Sequence, residues 1–214
     1  MTQVFSKRIE SIDILRGLVM VIMALDHVRD YYHFNALAGN FPENLDTTTL
    51  PLFFTRFITH YCAPIFVFLA GTSAFLYGSK RTPAKLSKFL ISRGIWLIIV
   101  EIIVNNFLWW FDISFGFTNL QVIWAIGFSM IVLGGAIHLP KRIILIIGLL
   151  IVFGHNMLDS ITFKDQGIVS VLWDMVHASG GFALSENHFV WFAYPVLPWI
   201  GVMLLGYCLS LIHI

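Results

Sequence analysis

Long apolar runs constrain this chain more than any other feature. A helix needs about 20 mostly apolar residues to cross the hydrocarbon layer of a bilayer. Six stretches approach that length: 12–32, 54–77, 89–110, 120–138, 143–158 and 190–208. Most of the charge lies in the short segments between them or at their ends. Of 214 residues, 58% are hydrophobic and 12% are charged, and the mean hydropathy is +0.83. A soluble domain carries about twice that share of charge. A core in a chain this size cannot hide so much apolar surface. The expected fold class is therefore all-α, a polytopic membrane helix bundle of about six transmembrane helices. Ser11 is the expected N-cap of the first, with Asp13 in its first turn. Residues 166–178, "QGIVSVLWDMVHA", read instead as an amphipathic helix lying on one surface.

Basic residues set the orientation. Lys7 and Arg8 precede the first span, Lys80, Arg81, Lys85, Lys88 and Arg93 fall between the second and third, and Lys141 and Arg142 between the fourth and fifth. The opposite segments carry Glu43, Asp46, Asp112, Asp159, Asp165, Asp174 and Glu186, with only Arg56 and Lys164 as basic company. The excess of positive charge on one side puts the N-terminus in the cytoplasm. The segment before Ala36 is expected to be a retained first span rather than a cleaved leader, because the charged stretch Asp26 to Asp30 stands between the apolar run and the small residues. A formal net charge of +1 argues against a nucleic-acid partner. Cys62 and Cys208 both sit in apolar runs, which is neither a disulfide framework nor a zinc pattern, and no metal is expected.

The ionisable residues inside the runs are the candidates for chemistry. The first run ends "MALDHVRDYYHF". His27 and Asp30 are three apart, so they share a helix face, and a carboxylate there can fix the imidazole tautomer. Asp26 and Arg29 have the same spacing and can neutralise one another. Counting about 1.5 Å per residue from Asp13, Asp26 and His27 lie roughly 20 Å along the helix, in the outer third of the bilayer. His60 lies in that layer on the second span. Asn105 and Asn106 near the outer end of the third, Gln121 at the start of the fourth, and His155, Asn156 and Asp159 on the fifth add polar groups, with Glu101 nearer the middle of the third. Lipid penalises such groups, so a cavity open to the outer side is expected. The rival account makes the end of the first span a solvated helix terminus. Pro64 frees a backbone carbonyl in the second span, and Gly71 and Ser73 permit close helix packing. On the cytoplasmic side, Arg16 pairs with Asp13 at i−3. The basic rim, Arg81 and Arg93 included, reads either as topology and lipid contact or as a dock for a phosphorylated cofactor.

The blocks "RIESIDILRGLVMVIMALDHVRDYY", "TRFITHYCAPIFVFLAGTSAFLYG", "LQVIWAIG", "GHNMLD" and "YPVLPWIGVMLLGY" resemble a bacterial membrane family of unknown function. That family is grouped with the catalytic region of heparan-α-glucosaminide N-acetyltransferase, among the transmembrane acyltransferases. The resemblance covers Arg8 to Tyr207. It implies a multi-pass protein of the bacterial inner membrane that takes acetyl from cytosolic acetyl-CoA and passes it to a sugar amine or hydroxyl on the far side. It implies a catalytic histidine near the outer end of the first span or in the loop that follows, and His27 and His33 are the two residues that could match. His27 is preferred because Asp30 can orient it.

The combined reading is an acetyl-CoA-dependent membrane acetyltransferase with a glycan acceptor, lipid neighbours and room for homo-oligomers. Its catalytic candidates are His27, Asp30, His60 and Asp26. Arg16, Arg93 and Arg81 are the candidates for holding acetyl-CoA. Arg29, Glu101, Asn105 and Gln121 are the polar-layer candidates. Residues 1–208 are expected to be one transmembrane domain of a longer protein. The last six residues, "LSLIHI" (209–214), resemble a translated sequencing adaptor. The alternative from another class is a proton-coupled transporter using Asp26, His27, Asp30, His60 and Glu101 as a relay.

Overall fold

The computed structural model of the chain describes residues 10–32, 42, 44–163 and 167–209. Contacts group the chain into two compact units, Met1–Leu69 and Ala70–Ile214. His33, Glu43, Lys164, Asp165 and residues 210–214 fall outside the described residues.

The first unit begins with helix α1, Glu10–Tyr32, so Ser11 lies within the helix rather than capping it. Helix α2, Leu50–Thr59, packs on α1, and helix α3, Cys62–Gly78, follows. The Cys62 thiol donates to the carbonyl of the buried Val19 at 3.7 Å. α2 and α3 together form Leu50–Gly78, 29 residues and apolar enough to cross a membrane, as expected for the second span. The break at His60 and Tyr61 has a local cause. Pro64 has no N–H to return to the His60 carbonyl, so the ladder resumes only with Ile65, which donates to Tyr61.

In the second unit, α4 (Pro83–Ile99) widens into a π-helical turn, Val100–Asn105, before α5 (Asn106–Trp110). Helix α6, Val122–Ala136, packs on α4. Helix α7, Lys141–Gly154, tightens into a 3-10 turn, His155–Leu158. Lys141–Leu158 is the other stretch among the described residues that is long and apolar enough to cross a membrane. The surface helix expected over 166–178 forms as α8, Ile168–Val176. Helix α9, Val196–Leu209, packs on α6 and α7 and meets α3 at Gly71. A Cβ on Gly71 would lie 2.2 Å from the Met203 carbonyl oxygen, so only glycine permits that approach.

The all-α expectation is corrected by a three-stranded sheet. β1 (Phe117–Leu120) pairs parallel to β3 (His188–Phe192), and β3 pairs antiparallel to β2 (Gly180–Ser185), in the order β1-β3-β2. The fourth and sixth apolar runs each begin in a strand. "HFVWF" is β-branched and aromatic, and Pro195 stands just before the first residue of α9. α6 and α9 are thereby cut to 15 and 14 residues. At about 1.5 Å per residue they rise only about 21–23 Å, against a hydrocarbon layer of about 30 Å. The strands supply part of the core: Leu120 and Phe192 pack with Trp124, Ala125 and Val196, all under 9% exposed.

Candidate functional site

In the first unit, α1 and α2 bring together a cluster centred on Asp26. Its Oδ1 accepts from Arg29 Nη2 at 2.6 Å and from the Thr59 hydroxyl at 2.5 Å. Arg56 Nη1 reaches its Oδ2 at 3.2 Å. Arg29 Nη2 also donates to Asp30 Oδ1 at 2.9 Å. Two acids and two guanidinium groups cancel in formal charge. The Arg29 side chain is only 8% exposed, so this pairing is what makes its burial tolerable.

The expected Asp26–Arg29 pair is therefore present, and Arg56 and Thr59 join it from a second helix. Asp30, expected behind His27, has one oxygen on Arg29. His27 follows Asp26 in α1 and is partly buried. His60 is exposed at the break between α2 and α3. Arg16 lies 3.8 Å from Asp13, the expected pair, and donates to the Leu69 carbonyl at 3.5 Å.

In the second unit, Glu101 is fully buried inside the π-helical turn. Its Oε1 accepts the backbone N–H of Gln121 at 2.7 Å, and its Oε2 accepts Asn105 Nδ2 at 3.1 Å. Three of the expected polar-layer residues thus form one network. Asn106, not among the site candidates, extends it. Its amide donates to the Glu101 carbonyl and exchanges hydrogen bonds with the backbone of Asn119. A π turn adds one residue to the helical register and so presents these amides toward β1.

Two histidine arrangements were not legible beforehand. His177 Nε2 lies 3.0 Å from Asp159 Oδ1, with the Trp173 and His155 rings against it. Ser185 Oγ lies 2.8 Å from His188 Nδ1, and His188 Nε2 lies 3.1 Å from the Ser114 carbonyl. Asp159 and the helix over 166–178 are both legible in the sequence, but their contact is not, because 18 positions separate Asp159 from His177.

Outside the membrane-crossing stretches, two carboxyls shift in opposite directions. The hydroxyl of Ser114 and the N–H groups of Gly116 and Ser114 hold Asp112 below the ordinary aspartate range. Burial pushes Asp174 above it.

At the other end of the second unit, Arg81 lies over the Tyr77 ring at 3.5 Å, and Arg93 over the Phe89 ring at 5.8 Å. Tyr77 and Phe89 stack at 4.0 Å. Arg81 also lines a cavity of about 230 Å³.

The chain matches the family model of the heparan-alpha-glucosaminide N-acetyltransferase catalytic region over residues 8–214. Comparisons with curated proteins and with solved structures return no match.

Proposed function

The chain belongs to the heparan-α-glucosaminide N-acetyltransferase catalytic family, and on that premise we propose that it is a multi-pass enzyme of a bacterial inner membrane that moves acetyl from cytosolic acetyl-CoA to a sugar amine or hydroxyl on the outer side. The family match over nearly the whole chain carries this reading. Acetyl-CoA is the family's donor.

The reaction asks little of the protein beyond positioning and one proton acceptor. The acceptor nitrogen or oxygen attacks the thioester carbonyl, the new C–N or C–O bond forms, and the C–S bond breaks. The acceptor's proton passes to His27 as general base, and the departing thiolate is protonated to coenzyme A. The Asp26 cluster supports this assignment, because three partners on two helices hold the backbone of α1 beside His27 in place. Asp30 and Asp26 serve as positioning residues, and His60 is the second candidate base. Arg16, Arg81 and Arg93 are the candidates to receive the donor. Glu101, Asn105, Gln121 and Arg29 contribute polar groups.

The test is transfer of labelled acetyl from acetyl-CoA to glucosamine-containing acceptors in membranes, with His27→Ala, His60→Ala and His33→Ala beside the unaltered protein. Loss in His27→Ala alone is expected. An unchanged rate in that variant removes His27 from the mechanism, and no transfer by any form overturns the acetyltransferase reading. No observation favours the proton-coupled transporter.

A further inference from the structure

We propose that the cavity between the end of α3 and the starts of α4 and α7 is a binding site for a phosphate group, held by Arg81 and Lys141. The cavity measures about 230 Å³, and its lining includes Phe75, Ser79, Arg81, Pro83, Lys141 and Tyr207. Two of the lining residues are cations and none is acidic. Neither Arg81 nor Lys141 has a carboxylate partner among the described residues. Both are exposed, and two cations that line one cavity with no acid beside them are free to receive an anion.

Both cations are held in place by aromatic rings. The Arg81 guanidinium lies 3.5 Å from the Tyr77 ring centroid, and its Nη1 donates to the Tyr77 carbonyl at 3.1 Å. Tyr77 is braced in turn by Phe89, stacked at 4.0 Å. Arg81 therefore keeps Nη2 and Nε for a ligand while its orientation is fixed. Lys141 Nζ lies 5.3 Å from the Phe75 ring centroid, and the Cys208 thiol donates to the Lys141 carbonyl at 3.6 Å. Pre-set cations lose little side-chain entropy on binding. The first residues of α4 and α7, Pro83 and Lys141, both line the cavity, so the positive ends of two helix dipoles lie beside it.

The size fits a head group rather than a whole molecule. Pockets that enclose drug-sized ligands run to roughly 300–1,000 Å³. A phosphate seated here would leave the rest of its molecule outside. The positive-inside reading puts this face toward the cytoplasm, where two molecules carry suitable phosphates: an anionic lipid of the inner leaflet and the nucleotide part of coenzyme A. Where the phosphate is the nucleotide's, the inference rests on the acetyltransferase reading. Lys141, which that reading did not include, then joins Arg81, and Arg93, which does not line the cavity, gives way to it.

The experiment uses the full chain in nanodiscs of phosphatidylcholine. One arm titrates adenosine 3′,5′-bisphosphate. The other replaces part of the lipid with phosphatidylglycerol and counts retained lipid by native mass spectrometry. Arg81→Gln with Lys141→Gln is compared with Lys85→Gln with Lys88→Gln, which removes equal charge from exposed positions of α4. At least one ligand is expected to bind, about tenfold or more weakly in the first variant and unchanged in the second. The arm that responds identifies the source. Should the first variant fail to insert, salt dependence of the unaltered chain decides, since an exposed two-cation site weakens with ionic strength. Binding of neither ligand, equal loss in both variants, or binding indifferent to salt overturns the site. The readout needs no acetyl transfer, so a chain that binds phosphate but transfers nothing loses the acetyltransferase reading and keeps the site.

Discussion

The backbone N–H of Gln121 donates to the buried Glu101 carboxylate across 2.7 Å. One carboxylate oxygen thus closes the start of α6, where the side chain of Gln121 itself makes no capping bond, and the other holds Asn105. Replacing Glu101 with alanine leaves a partly buried N–H and a partly buried amide without their acceptor, and should cost about 2 kcal/mol. Glu101→Gln keeps a carbonyl oxygen for Gln121 and should cost under about 1 kcal/mol. Thermal melts in detergent measure both. Equal losses would mean that the charge of Glu101, not its acceptor oxygen, is what the fold requires.

Gly94 and Gly127 face one another where α4 crosses α6. A Cβ on Gly94 would lie 2.4 Å from the Gly127 carbonyl oxygen, and a Cβ on Gly127 would lie 2.7 Å from that of Gly94. Both contacts are backbone, so no side chain can move aside. Gly94→Ala should destabilise by about 1–3 kcal/mol. Gly135→Ala on the same α6 meets nothing within 4 Å and should gain up to about 1 kcal/mol from helix propensity. The opposite signs make the pair a test of close packing, read by melting temperature. A loss in both variants would refute it.

The Asp26 cluster gives a graded prediction. Thr59→Val removes one hydroxyl donor and should cost about 1 kcal/mol. Asp26→Ala takes from Arg29, 8% exposed, one of its two carboxylate partners, and takes Asp26 from Arg56, and should cost about 3 kcal/mol or more. Where His27 is the base, both variants should lower acetyl transfer in the same order while acetyl-CoA binding stays the same. A rate that follows neither variant would separate the cluster from the chemistry.

How far the sequence reveals this molecule depends on the range of each interaction. Apolar runs and i,i+3 spacing are local, so α1, the 29-residue stretch through α3, the Asp13–Arg16 pair and the Asp26–Arg29 pair could all be read. The contributions of Arg56 and Thr59 to Asp26 could not, because they cross 30 and 33 residues. The sheet was missed for a different reason. β1 and β3 lie within or beside apolar runs, and their pairing spans about seventy residues, so hydropathy alone reads strand and helix alike. The Arg81–Lys141 cavity was half legible: both cations stood out as topology signals, but their shared cavity depends on how α3, α4 and α7 end.

Two aspartates outside the membrane-crossing stretches should give pH responses of opposite sign. Asp112 accepts from the Ser114 hydroxyl at 2.6 Å and from the N–H groups of Ser114 and Gly116 at 2.8 and 2.9 Å. Its folded pKa is lowered by these bonds, the Ser114 hydroxyl first. Its stabilisation is therefore complete above the ordinary aspartate pKa of about 3.9 and is lost as pH falls through the lower folded value. Asp174 is raised by burial. Its carboxyl carbon would lie 2.4 Å from a Cβ on Gly180, so it is packed against the start of β2. Its charged form is penalised in the folded state, so stability falls as pH rises from the ordinary value through the raised one, and the penalty is complete above it. Asp174→Asn should accordingly stabilise the protein at neutral pH and flatten the fall in stability above pH ~4. Asp112→Asn should destabilise it at neutral pH and remove the acid-side loss. Melting temperatures of the two variants against pH decide the matter, and parallel profiles for variant and unaltered protein would rule out either residue as the source.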